Sequence, residues 1–335
     1  MINFLNDPYL LPLIFALLMY LSGLIYAILD GYDLGVGILL NCANDDEKDS
    51  MIASIGPFWD ANETWLVLTI GILLVAFPYA QGAILTSMYA PLVTMLIALV
   101  VRGAAFDFRT KTKLEQKNTW NNAFFAGSLT TSLAQGYMLA LYMVGAEISW
   151  QRYAFAIITS ITLTMGYALI GASWLIMKTE DCLQLKAISW AKKITLVLVP
   201  LIITILMLYP VTRHLMPKFI PNHKNVALII IAFAISITIL LNYYILRKLP
   251  CKNDALCWLP FAMTTLTFLL CGIGLVYSFY PYLTIGGMTI WNAASSQESL
   301  WIIFLGVLVV LPLIIIYNIV IHKSFWGKTG NLRYY

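Results

Sequence analysis

Apolar residues run along this chain in blocks of about twenty, long enough for each block to cross a hydrocarbon core as a helix. The blocks fall near 9–29, 56–80, 83–106, 124–145, 153–177, 194–210, 225–246, 255–280 and 300–321. This pattern predicts an all-α integral membrane protein of about nine transmembrane helices in two helical bundles, one polytopic domain over 1–335. The proline-rich stretch 210–221, with Pro210, Pro217 and Pro221, predicts an external loop and divides the chain into approximate halves 1–210 and 211–335. The N-terminal segment lacks a basic stretch and no small-residue cleavage site follows it, so it reads as a retained first helix.

Composition agrees with this class. The chain is 61% hydrophobic and 11% charged, whereas a soluble domain is about 45–50% apolar and about 25% charged. The polar segments between blocks leave little room for a soluble domain.

Charge then sets an orientation. The segments after blocks one, three, five, seven and nine hold fifteen Lys and Arg, from Lys48 to Arg333; the other segments hold four, Arg152, Arg213, Lys218 and Lys224. Basic residues collect on the cytoplasmic side. The N-terminus is therefore expected outside and the C-terminus in the cytoplasm. The formal charge of +4 becomes a matter of topology, and no nucleic-acid partner is implied.

Against this background the early acids stand out. An ionisable group at membrane depth costs from about 3 to well over 10 kcal/mol, so it normally has a partner or an aqueous path. Asp60 and Glu63, in Trp59-Asp60-Ala61-Asn62-Glu63-Thr64-Trp65, are three residues apart and so share a helix face. They either hold and pass a proton or sit among headgroups at the start of the span. Arg102 lies just inside the third block, five residues before Asp107. It could neutralise Asp60 or Asp107, or snorkel to the headgroups. Asp30 and Asp33, in Asp30-Gly31-Tyr32-Asp33-Leu34-Gly35-Val36-Gly37, close the first block; its glycines predict a bend that turns the aspartates inward. Asp45, Asp46, Glu47 and Asp49 are expected to line the loop that follows. With the orientation above, all these acids gather at the cytoplasmic face.

Other chemistry is sparse. Cys42, Cys182, Cys251, Cys257 and Cys271 show no CxxC spacing, so neither a zinc site nor attached haem is expected, and an odd count does not make a complete disulfide framework. His214, His223 and His322 fall in loops or at a span end, so no bis-histidine haem is expected within the chain. Near 286–300, Trp291 is expected to anchor at an interface, and Ser295 or Ser296 to cap the last helix.

These motifs together resemble subunit II of the cytochrome bd-type quinol oxidases. The residues that carry the resemblance are 30–37, Ile55 to Leu66, Ala76-Phe77-Pro78, Arg102-Gly103-Ala104-Ala105-Phe106-Asp107-Phe108-Arg109, Thr289 to Ser296, Pro312, Tyr317 and Phe325-Trp326-Gly327-Lys328. They run over essentially the full chain, and their wording is most similar to the cyanide-insensitive branch. The resemblance implies a heterodimer in a bacterial inner membrane. Its subunit I would hold two b-type haems and a haem d, oxidise quinol and reduce dioxygen to water. Subunit II itself would bind no cofactor directly, would lie among membrane lipids, and leaves room for small single-helix accessory subunits. It would supply part of a proton route from the cytoplasm. The positions matching that route are Asp60 beside Trp59, with Arg102, Asp107 and Asp30 around the entrance; Glu63 and Asp33 also match motif positions.

Two other classes compete. A proton-coupled secondary transporter would suit bent helices and membrane acids, but its site is expected near the midplane between repeats, and no repeat is visible. A purely structural subunit would use the acids only to fix a docking surface.

Overall fold

The computed structural model describes residues 8–145, 149–215, 224–250, 254–284 and 286–329. Twelve α-helices are described: α1 (Leu10–Leu39), α2 (Asp45–Ile55), α3 (Trp59–Ala76), α4 (Pro78–Ser87), α5 (Tyr89–Lys111), α6 (Leu114–Val144), α7 (Trp150–Lys178), α8 (Asp181–Leu215), α9 (Asn225–Lys248), α10 (Leu259–Phe279), α11 (Ile290–Ala293) and α12 (Gln297–Ser324). Eight helices among the described residues are long and apolar enough to cross a bilayer. The expected fourth span, 124–145, lies in α6, whose 31 residues suffice in length but are too polar to count with the eight. Asn121, Ser128, Thr131 and Ser132 on that helix are all buried; α6 spends its polarity inside the protein.

Helix α1 is the hub, packing against α3, α6 and α7. The bend expected over 30–37 is absent, because α1 runs unbroken through to Leu39. The glycines serve close approach instead. A Cβ on Gly35 would lie 1.9 Å from the backbone O of Tyr167, and one on Gly171 would lie 2.4 Å from the backbone C of Gly35. Small residues let helices in lipid pack backbone against backbone, which is how α1 and α7 meet here. The aspartates need no bend to be enclosed, because α1 is buried on every side from Asp30 to Gly37.

The expected span 56–80 is divided. Helix α3 stops at Ala76, Phe77 leaves helical geometry, and Pro78 opens α4 at its first turn. Proline disfavours helical geometry in the residue before it and is preorganised for a first turn, so the break falls at this step. The carbonyls freed by the break find donors: Ser295 Oγ donates to Val75 O at 2.7 Å and Ser295 N to Ala76 O at 2.9 Å. Ser296, its neighbour, caps α12 by accepting from Ser299 N. Trp291 Nε1 donates to Tyr9 O at 3.2 Å. Helix α8 carries on through Pro210 to Leu215, so 210–215 are helical where a loop was expected. A single proline need not end a helix in apolar surroundings. Pro217 and Pro221 lie outside the described residues, as do Cys251 and His223.

The acidic loop after α1 is also a helix. Asn44 caps α2 through a box in which its side chain accepts from Glu47 N and the Glu47 carboxylate accepts from Asn44 N, both at 3.0 Å. The two reciprocal bonds satisfy backbone donors at the helix start, and acids in that turn suit the helix dipole. Glu47 also takes Lys186 Nζ at 2.8 Å, tying α2 to α8. Asp49 is paired with Arg109 of α5 and, at 2.7 Å, with Lys117 of α6. Arg109 Nε donates to Asn121 Oδ1 at 2.6 Å, closing the clamp.

Partial burial alone would push the Asp49 carboxyl up, but Lys117 and Arg109 bring it below the usual carboxylate range. A depressed carboxylate contributes stability that is complete above its unfolded value and is lost as pH falls through the folded one. The clamp should therefore be intact at neutral pH and fade below about pH 4. Thermal midpoints of wild type and Asp49→Asn should differ at neutral pH and converge in acid; a gap that persists unchanged would exclude this linkage.

Candidate functional site

The buried acids of α1 are gathered at one guanidinium. Arg102 and Asp30 are 1% and 0% exposed. Arg102 Nη2 donates to Asp30 Oδ1 at 2.6 Å and to Glu63 Oε1 at 2.9 Å. One nitrogen thus joins α5 to both α1 and α3. Its reach depends on Gly127 of α6, where a Cβ would lie 3.1 Å from the Cβ of Arg102. Glu63 keeps 31% of its side chain exposed, so the three groups form a graded path from the surface inward.

Asp33 forms the second half of the site, one turn along α1. Asn62 Nδ2 lies 2.8 Å from Asp33 Oδ2, 2.8 Å from the Tyr32 hydroxyl and 3.3 Å from Leu29 O. Tyr32 is fixed in turn by stacking on Trp174 of α7, with ring centroids 4.1 Å apart. Asp30 Oδ2, Asp33 Oδ1, Asn62 Oδ1, Arg102 Nε and Arg102 Nη1 are all buried without a hydrogen-bond partner among the described residues. Polar atoms enclosed this way are normally served by ordered water.

The expected residues are not all brought together. Asp30, Asp33, Glu63 and Arg102 form one cluster. Trp59 lies at its edge, its ring 4.9 Å from that of Phe106. Asp60 and Asp107 are exposed. The expected pairing of Arg102 with Asp60 or Asp107 is corrected to Asp30 and Glu63, and the snorkelling alternative falls with it. Asp107 is five residues on from Arg102 in the same helix, so about 140° around it. Asp60, at the first turn of α3, points outward.

Several contributors were not singled out from sequence. Asn62 and Tyr32 stand only within the quoted motifs, and Tyr26, Gln135 and Tyr167 in none. The signal was present: Ser128, Thr131, Ser132 and Gln135 recur at three- and four-residue steps along α6, a polar stripe on one helical face. Tyr26 stands four residues before Asp30, on the same face.

Among the described residues, no three or more His, Cys, Asp or Glu side chains are grouped to hold a metal ion. Cys42, Cys182 and Cys271 are free thiols, and the Cys257 thiol donates to Asp254 Oδ1 at 3.2 Å. The His322 ring lies 4.7 Å from that of Phe58, and its Nδ1 is 2.9 Å from Asn318 O.

Comparison with known proteins places this arrangement. The family model for cytochrome bd terminal oxidase subunit II matches residues 11–325. The chain is 29% identical over 307 residues to cytochrome bd ubiquinol oxidase subunit 2 of Bacillus subtilis (strain 168), covering 86% of this chain and 87% of that protein. It is 24% identical over 349 residues to cytochrome bd-I ubiquinol oxidase subunit 2 of Escherichia coli (strain K12), covering 90% and 91%. In fold it is similar to a chain of the bd oxidase from Geobacillus thermodenitrificans, with a TM-score of 0.73 at 16% identity over 94% of this chain and 98% of that one. With eight apolar helices among its described residues, this multi-pass bacterial membrane protein belongs to the cytochrome bd terminal oxidase subunit II family.

Proposed function

We propose that this chain pairs with a haem-bearing subunit I of a quinol oxidase and delivers to it part of the protons consumed when dioxygen is reduced to water. The N-terminus lies outside and the Lys- and Arg-rich ends of the helices face the cytoplasm, as the charge bias requires. The observation that carries the reading is the buried Arg102 shared between Asp30 and Glu63. Such a group of charges inside a membrane bundle is costly unless it serves a path.

Each residue then has a role. Asp60, exposed beside Trp59, collects protons at the mouth, with Asp107 a further surface carboxylate at the same end. Glu63, half-exposed, is the carrier, because it alone of the Arg102 partners reaches both solvent and the buried cluster. Arg102 does not give up its proton; it holds Asp30 as a fixed negative charge when Glu63 becomes neutral. Asp33 and Asn62 extend the polar surface one turn along α1 towards its cytoplasmic end.

Haems are implied for the complex by the family. A bis-histidine site needs two facing imidazoles, and among the described side chains His322 is the one histidine, its ring packed on Phe58. Quinol oxidation and oxygen chemistry are accordingly assigned to the partner, where two haems b and a haem d are expected. This chain's part is to orient, to hold charge and to move protons.

The test uses the purified complex. Asp60→Asn and Glu63→Gln should assemble with normal haem content, yet consume oxygen about a hundredfold more slowly, the low end of what a positioned proton-transfer group contributes. Wild-type turnover in both would remove them from the route. If both instead blocked assembly while turnover per assembled complex stayed normal, the acids would be docking elements. Solute uptake by the chain alone in liposomes would favour a transporter.

A further inference from the structure

Beyond the Arg102 cluster, α1 continues as a polar file that the proton reading does not use. Tyr26 lies four residues before Asp30 and is buried. Gln135 of α6 sits between two phenols. Its Nε2 donates to the Tyr26 hydroxyl oxygen at 2.8 Å, and its Oε1 accepts from the Tyr167 hydroxyl of α7 at 2.7 Å. Three helices thus meet at one amide.

The direction of these bonds matters more than their number. A phenol has one hydrogen to give. Tyr167 gives its hydrogen to Gln135. Tyr26 receives from Gln135, so its oxygen is engaged as an acceptor and its own hydrogen is left to point elsewhere. Asp30 stands one turn along the same face, and both side chains are buried. Its Oδ1 is held by Arg102, while its Oδ2 is buried without a hydrogen-bond partner and is the acceptor open to that hydrogen.

We propose that Gln135 is a positioning residue: its amide, clamped by Tyr167, forces the Tyr26 hydroxyl to donate towards Asp30 and so keeps Asp30 charged as the permanent partner of Arg102. With Asp30 fixed in this way, Glu63 is free to exchange its proton without Arg102 swinging between two equal acids. The same amide ends the file, since a glutamine pinned at both ends neither takes up nor releases a proton readily. The inference rests on the proton-delivery reading for its consequence, though not for its geometry. The charged and titratable groups facing Asp30 are Tyr26, Tyr32 and Asp33 on its own helix, Glu63 of α3, Arg102 of α5 and Tyr167 of α7. From α6 come Gln135 and hydroxyls, with no charge.

Gln135→Glu is the decisive variant. It preserves size and still accepts from Tyr167, but a carboxylate also accepts from Tyr26, so the Tyr26 hydrogen turns away from Asp30. Tyr26→Phe removes that hydrogen outright. In the purified complex each should lower oxygen consumption about tenfold, as loss of a hydrogen bond to a charged group would. The double variant should fall no further, because both changes remove one interaction. Infrared spectra at neutral pH, taken as the difference between each complex and the matching Asp30→Asn complex, supply a readout beyond activity. The carboxylate band that Asp30→Asn abolishes should move in Tyr26→Phe and in Gln135→Glu alike. Losses that multiply in the double variant, or an Asp30 band unmoved in both, would overturn the inference. If Gln135→Glu fails to assemble, Tyr26→Phe and its Asp30 band decide alone. A moved Asp30 band together with wild-type turnover in Asp60→Asn and Glu63→Gln would instead uphold the clamp and sink the proton route.

Discussion

Arg102→Leu should nearly eliminate the assembled complex from detergent extracts. The substitution leaves Asp30, 0% exposed, with no cation in reach, and removes the group that joins α5 to α1 and α3. Breaking a buried pair by deleting one partner costs about 3–5 kcal/mol, mostly from the charge left behind. That is a large part of the 5–15 kcal/mol by which a typical domain is stable. Arg102→Lys keeps the charge but offers a compact ammonium in place of a planar fork, and should retain part of the yield. Arg102→Met with Asp30→Asn removes both charges and should recover much of the thermal midpoint without recovering turnover. Fluorescence-detected size exclusion with a thermal ramp would measure all three. An Arg102→Leu complex with wild-type yield and midpoint would show that the guanidinium is not the tie the fold depends on.

That cluster shows what a sequence carries and what it withholds. The acids were legible because lipid makes a carboxylate conspicuous, and the spans were legible because a helix must bury its backbone bonds along about twenty apolar residues. Partnership was not. Arg102 is 72 residues from Asp30 and 39 from Glu63, and nothing local prefers those acids to Asp107 in the same helix. Only the packing of α1, α3, α5 and α6 chooses. Local chemistry also misled where it had two readings. Glycines at 31, 35 and 37 suit a bend and a helix contact equally, and the contact prevailed because Tyr167 of α7 lies opposite Gly31 and Gly35, with Gly171 against Gly35, and Ser128 of α6 lies opposite Gly37. The acids at 45–49 suit a loop, yet Asn44 and Glu47 spell a capping box three residues apart. The break at Phe77 takes more than Pro78, since α8 and α12 run through Pro210 and Pro312; here Ser295, far along the chain, takes up the freed carbonyls.

Gly35→Ala tests the contact reading directly, and its expected effect is of the same order as that of Arg102→Leu. The added methyl would meet the backbone O of Tyr167 at 1.9 Å and the Cα of Gly171 at 2.9 Å. Backbone atoms in the middle of two helices cannot step aside as a side-chain end can, so α1 and α7 must separate. Overpacking a core typically costs about 1–3 kcal/mol and occasionally more; a rigid contact of this kind should reach about 3 kcal/mol or more. Separation would also spread Tyr167 from Gln135 and Asp30 from its neighbours, so turnover should fall along with stability. Gly71, Gly82 and Gly306 are the controls, since a Cβ there meets nothing within 4 Å. Alanine at those helical positions should be neutral or stabilising by up to about 1 kcal/mol, because glycine in a helix interior gives up more backbone freedom than alanine. If the glycines of α1 acted as a hinge, Gly35→Ala would stiffen α1, leaving the thermal midpoint level or higher and impairing turnover alone. A steep fall in both, with the controls unchanged, is what a helix contact requires.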